Sequence, residues 1–267
     1  MAGDPGLFGP DSASWRVHRE TTVLFGGARA LLMHAAHPRV VAGATETGFY
    51  ERNPWRRLER TLALTYALTF GTREQALAAA ERINEVHRRV RGVDPVTGTP
   101  YDAMDPDLLL WVHACLVDSA LLFERLTVGR LTPEGRERFH REQMAGAELL
   151  GLTSDRIPAT VPTLRAYIDD VVAGDDLVVG EAARRVAALI RHPPPQAEWR
   201  PVLRAVSWWA FGTLPPRLRA MYGVRWGPGR EAALRTSLAA VRLGRPGIPR
   251  RFRWILPAQQ AAARLAA

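Results

Sequence analysis

Lysine is absent from the chain: all 36 basic side chains are arginine. That excludes Schiff-base chemistry on a lysine, a lysine general base and the lysine of a phosphate-binding P-loop. Every cation is instead a permanently charged planar fork suited to carboxylates and phosphates. Cysteine is nearly absent too. The lone Cys115 excludes any disulfide within the chain and points to a reducing, cytoplasmic setting. The opening residues, MAGDPGLFGPDSASW, lack the basic end and apolar run of a secretory signal. The apolar runs fall short of the ~20 residues needed to cross a bilayer. No convincing period-2 strand is present, and neither are the motifs HExxH, CxxC or GxSxG. Gly26-Gly27 does not open a dinucleotide-binding fingerprint; the pair allows a close backbone approach or a simple break.

What is present is an ordinary globular composition. The 267 residues are 47% apolar and 24% charged, enough for one domain with a substantial core. The formal charge is +9. The arginines mostly alternate with acids in helical stretches such as TREQ and GREAALR, so no nucleic-acid partner is expected.

Period-3.6 spacing dominates and predicts an all-α single domain of about ten helices. Residues 1–11 read as a loose Gly/Pro-rich head, with Ser12 and Ser14 as candidate N-caps. Two or three helices follow, interrupted at Gly26-Gly27 and Pro38. Pro54 starts a strongly apolar helix running to Gly71. Thr72 caps TREQALAAAERINEVHRRVRG, with Gln75 at the capping-box position. VDPVTGTPYDAMDP reads as a turn-rich loop. Asp105 caps a buried helix from Pro106 to about Leu126, and Thr132 caps one that ends near Gly151. Further helices are expected from Pro162 to Val172, over about 178–191, on both sides of Leu214-Pro215-Pro216, and over about 229–243. Residues 245–267 read as a Pro/Arg-rich tail.

Seven histidines carry the candidate chemistry. His34 and His37 lie one turn apart, a metal pair without an evident third ligand. His113, in the apolar run LLLWVHACLVDSALL, is either a buried neutral ring bonded to a carbonyl or a cofactor ligand. His87 extends the stripe of Ala80 and Ile83, while Arg88, Arg89 and Arg91 crowd the same helix end. An imidazole facing an apolar space, rimmed by guanidiniums, suits haem iron and its propionates. A core histidine at a basic helix end fits the same spacing and is the commoner case. Arg57 and Thr61 are i,i+4 neighbours beside Arg60. They would edge an apolar cavity, or Arg57 would pair with Glu59 or Glu51 at the helix start.

Taken in order, GGARALLMHAAHPRVVAG, FYERNPWRRLERT, FGT, EVHRRVRG, YDAMDPDLLLWVHACLVDS and GTLPPRLRAMYGV resemble a family. They are similar to the haem-dependent oxygenases that include the bacterial latex clearing proteins and the fungal oxygenase of mycophenolic acid biosynthesis. The resemblance covers roughly residues 15–225. It implies an all-helical fold enclosing b-type haem, and, in characterised members, O2-dependent cleavage of isoprenoid C=C bonds. By position it implies His87 as the proximal iron ligand and Arg57 and Thr61 as the Arg-x-x-x-Thr pair near the haem. It implies His113 as a supporting residue or second axial ligand, and Arg88 and Arg91 as partners of the propionates. Where the latex clearing branch has a lysine, this chain has Arg60, which cannot exchange a proton. Glu46 is the nearest match to that branch's glutamate base.

The leading expectation is thus a haem b oxygenase acting with O2 on a hydrophobic small molecule. The rival is a cofactor-free helical protein that binds lipid or a partner. Trp208, Trp209, Trp226 and Trp254, in an arginine-rich C-terminal third, suit a peripheral membrane or dimer contact as well as internal packing. A zinc site at His34 and His37 is a third reading.

Overall fold

A computed structural model describes residues 3–45, 54–192 and 200–266. The expected all-α class is what the chain adopts. Helices α1 (Ala13–His18), α2 (Thr21–Leu24), α3 (Gly26–Ala36) and α4 (Pro38–Thr45) form the first group. They are followed by α5 (Pro54–Phe70), α6 (Arg73–His87), α7 (Pro106–Phe123) and α8 (Pro133–Glu148). Next come α9 (Val161–Ala173), α10 (Glu181–Arg191), α11 (Arg200–Gly212) and α12 (Pro216–Met221). The last are α13 (Pro228–Gly244), α14 (Arg250–Arg253) and α15 (Leu256–Ala266). The helices outnumber the roughly ten expected because one-turn pieces such as α2 and α14 are too short to show a period.

The starts follow the capping chemistry. Ser12 accepts from Trp15 N, Asp105 from Asp107 N and Thr132 from Gly135 N. Thr72 and Gln75 form a reciprocal capping box. Thr160 and Thr163 form another, with no Glu or Gln at the third position to signal it.

Helix α7 is the axis of the core. Its Trp111, Ala114, Cys115, Val117 and Leu121 are buried against α3 and α9, in one core cluster with residues of α10 and α11, which pack on α3. Gly26 lets α3 approach closely: a Cβ there would sit 2.9 Å from Ser119 O and against the Phe123 ring. Gly27 has open space around it, so only the first glycine of the pair serves the crossing. Buried Arg29 locks the same junction. It pairs with Asp118 at 2.8 Å and donates to Ser119 Oγ at 2.7 Å and Thr213 O at 3.0 Å. Past Phe123 the chain widens into a π turn over Glu124–Val128, where the buried Glu124 carboxylate accepts from Arg130 N and Leu131 N. Together these residues make a 23-residue helix apolar enough to cross a membrane, longer than the sequence runs suggested. Of its most apolar window, 61% is buried within the protein, as expected for a core helix.

Three segments differ from the sequence reading. The loop after His87 contains a short antiparallel hairpin, β1 (Arg91–Val93) against β2 (Pro100–Asp102), with Gly92 opposite Tyr101. Three residues per strand are too few to display alternation. Asp94 builds the turn by accepting from Val96 N, Thr97 N and Thr97 Oγ1. The head is not loose over its described residues: Asp4 accepts from Gly6 N and Arg73 N, and Phe8 is buried. The expected tail is helical, and Ile255, Ala258 and Ala261 pack on Trp15 and Phe70. Both corrections rest on contacts between segments far apart in the chain, which local spacing does not encode.

Candidate functional site

Helix α6 ends at His87. Its start is held by the capping box, and its last turn is tied to the end of α8 by Asn84, whose Nδ2 donates to Leu149 O at 2.8 Å. Ala76, Ala79, Ala80 and Asn84 are buried, and Ile83 and His87 continue this face half-buried. The His87 Nδ1 atom is buried without a hydrogen-bond partner. Burial lowers its pKa, so the ring is neutral at neutral pH.

The arginines beside it have other partners. Arg88 pairs with Glu81 at 2.8 Å and Arg91 with Asp102 at 2.9 Å, all at the exposed surface. Their positions past the end of α6 turn them toward carboxylates of their own helix and hairpin. Arg60 and Thr61 are exposed on α5. Glu46 and the Arg57 side chain lie outside the described residues.

His113 lies deeper, on α7. Its Nε2 is buried and unpartnered, and burial, aided by nearby His140, lowers its pKa to about 4. His140, fully buried on α8, has its Nε2 2.7 Å from Pro158 O. A carbonyl only accepts, so Nε2 carries a proton, and the Nδ1 atom is also buried without a partner. His18 packs against Phe139 and is lowered by burial to about 4, with a hydrogen bond from its ring to Gln143 opposing the shift. His34 donates through Nε2 to Val112 O at 3.1 Å. Burial lowers it to about 4, with that hydrogen bond opposing.

The orphaned atoms are the most informative feature. His87 Nδ1, Asn84 Oδ1, Trp111 Nε1, His113 Nε2 and His140 Nδ1 are all buried and unpaired, on three helices linked by packing and by the Asn84–Leu149 bond. Buried polar atoms are nearly always satisfied in native proteins, by protein, water or ligand. His18, His34 and His113 also keep partial accessibility although desolvation dominates their shifts.

The zinc reading finds no support. His34 is committed to Val112 O, His37 leaves the helix in extended geometry, and no group of three or more His, Cys, Asp or Glu could hold a metal among the described residues. His18 and His140 were not singled out by sequence. The available signal for His140 was its place on the inward stripe of Phe139, Gln143, Met144 and Ala147, hidden among the charges of α8.

A family model described as "ER-bound oxygenase mpaB/B'/Rubber oxygenase, catalytic domain" matches residues 15–243. The chain belongs to this family of oxygenases, and the match extends past the region where the sequence resemblance ended. Among its relatives are the uncharacterized protein Mb2261 of Mycobacterium bovis and the uncharacterized protein Rv2237 of Mycobacterium tuberculosis. Each is 27% identical over 245 residues, covering 85% of this chain and 90% of the relative. No solved structure gives a significant match.

Proposed function

We propose that the protein is a haem b-dependent oxygenase that uses O2 to oxidise a hydrophobic small molecule in the cytoplasm. Membership in an oxygenase family supports the reaction class. The observation that carries the cofactor reading is His87: a neutral imidazole with an unpartnered buried nitrogen, continuing the apolar face of a well-capped helix. Neutral imidazole is the ligating form, so no proton has to be displaced when iron binds at neutral pH. When bound, haem supplies the redox chemistry toward O2, and the protein supplies binding, orientation and shielding.

In this reading His87 holds the iron. His113, kept neutral by burial, supports the cofactor from α7 or is the second candidate ligand. Thr61, with Arg57 and Arg60, provides the polar edge of the substrate side, where a guanidinium orients charge and does not transfer protons. Leu58, Leu64 and Leu68 share the helical face of Thr61, and none is buried. That partly exposed apolar face suits a hydrophobic substrate, with an isoprenoid chain as the class the family resemblance implies. Glu46 is the proposed base by resemblance.

Haemin titration into the purified chain tests the reading. A Soret band is expected at one haem per chain, lost or shifted in His87→Ala and retained in His113→Ala. No Soret band in the unsubstituted protein would sink the cofactor assignment. A band lost only in His113→Ala would move the ligand to α7.

A further inference from the structure

From Ala232 to the end, the chain has seven arginines and no aspartate or glutamate. This departs from the mixed charge of helices α6, α8 and α10. The same region carries a run of solvent-facing apolar side chains: Leu243 is 80% exposed, Ile248 42%, Phe252 63% and Leu256 64%. Large apolar side chains this exposed and this close together mark a contact surface more often than an idle one.

The segment is built, not frayed. Buried Arg245 anchors it through two hydrogen bonds to the buried Glu20 carboxylate. Thr21 donates to Arg253 O, and Ile255 N donates to Arg19 O. Between these anchors the chain turns outward and carries Ile248 and Phe252 into solvent. Arg250 stacks over the Trp254 ring at 3.7 Å and Arg251 over Phe252 at 4.9 Å, so cations and aromatic faces sit at one level. Arg242 and Leu243 extend the mixture at the end of α13.

We propose that the surface formed by residues 242–256 docks the protein on an anionic lipid bilayer. Apolar tips flanked by arginines match the interfacial region of such a membrane, where the side chains enter the acyl boundary and the guanidiniums meet phosphates. The charge argues for this occupant over a second copy of the chain, which would bring like charges together across a two-fold contact. Nucleic acid would use the arginines and leave the four apolar side chains in water. The inference is independent of the haem assignment.

The test is co-sedimentation of the full chain with vesicles of phosphatidylcholine alone and of phosphatidylcholine mixed with phosphatidylglycerol. Binding is expected only to the mixed vesicles and weakens with added salt. Arg250→Gln together with Arg251→Gln should weaken it about thirtyfold, since each interfacial cation contributes roughly a fivefold factor. Phe252→Ser together with Leu256→Ser should also release the protein, at any salt concentration. The substituted side chains are solvent-facing, and an unchanged melting temperature confirms the fold. Absence of binding to mixed vesicles, or full binding by the Phe252 and Leu256 variant, would overturn the proposal. So would a concentration-dependent dimer abolished by that variant, which would assign the surface to self-association.

Discussion

Glu20 and Arg245 are 225 residues apart in the chain and form a buried ion pair with two hydrogen bonds, at 3.1 and 2.5 Å. The pair joins the first helices to the chain's last segment beside the bridge between Glu20 and Trp254. Removing one partner strands a buried charge. Glu20→Gln should lower the unfolding free energy by about 3–5 kcal/mol, read from urea titration. Replacing both, as Glu20→Leu with Arg245→Met, should recover much of that loss because no charge is left unpaired. If the double variant is as unstable as the single, the pair is not the source of the effect.

The two adjacent glycines that open α3 should respond in opposite directions. Gly26→Ala pushes a methyl against Ser119 O and Phe123, and is expected to destabilise by about 1–3 kcal/mol through overpacking. Gly27→Ala meets nothing within 4 Å and sits in a helix, so it should stabilise by roughly 0.5–1 kcal/mol. Thermal melts of the two variants decide the matter, and equal effects would contradict the crossing geometry.

Acid should unfold the haem-free protein through its histidines. His18, His34 and His113 are lowered by burial from 6.5 to about 4. The unfolded chain therefore takes up protons first as pH falls. Stability is intact above about pH 6.5 and is lost progressively down to about pH 4. With three groups titrating together, the slope reaches about 4 kcal/mol per pH unit. Denaturation curves across that window measure the slope, and His18→Gln should reduce it by about a third. A flat profile between pH 6.5 and pH 4 would contradict the burial of these rings.

Asn84 offers a local check on the end of α6. Its Nδ2 bond to Leu149 O fixes the last turn before His87, and Asn84→Ala leaves that carbonyl unpaired. A loss of about 1–3 kcal/mol is expected. On the haem reading, the loss comes with weaker haemin retention, measured by transfer to apomyoglobin.

The sequence by itself determined the helices, because capping and periodicity act between residues three or four apart. Thr72 with Gln75, Asp105 with Pro106, and Thr132 with Pro133 mark real starts for this reason. The ordered motifs also carried the family, and the position of His87 on an inward stripe was legible from spacing. Only the tertiary structure decided which neighbours each side chain meets. It turned Arg88 and Arg91 to Glu81 and Asp102, committed His34 to Val112 O and set His140 beside His113. It separated Gly26 from Gly27 and docked Ile255 and Ala258 onto Trp15 and Phe70. These outcomes depend on contacts between segments far apart in the chain. Close packing and the desolvation of buried polar groups select them, and neither leaves a periodic trace in the sequence.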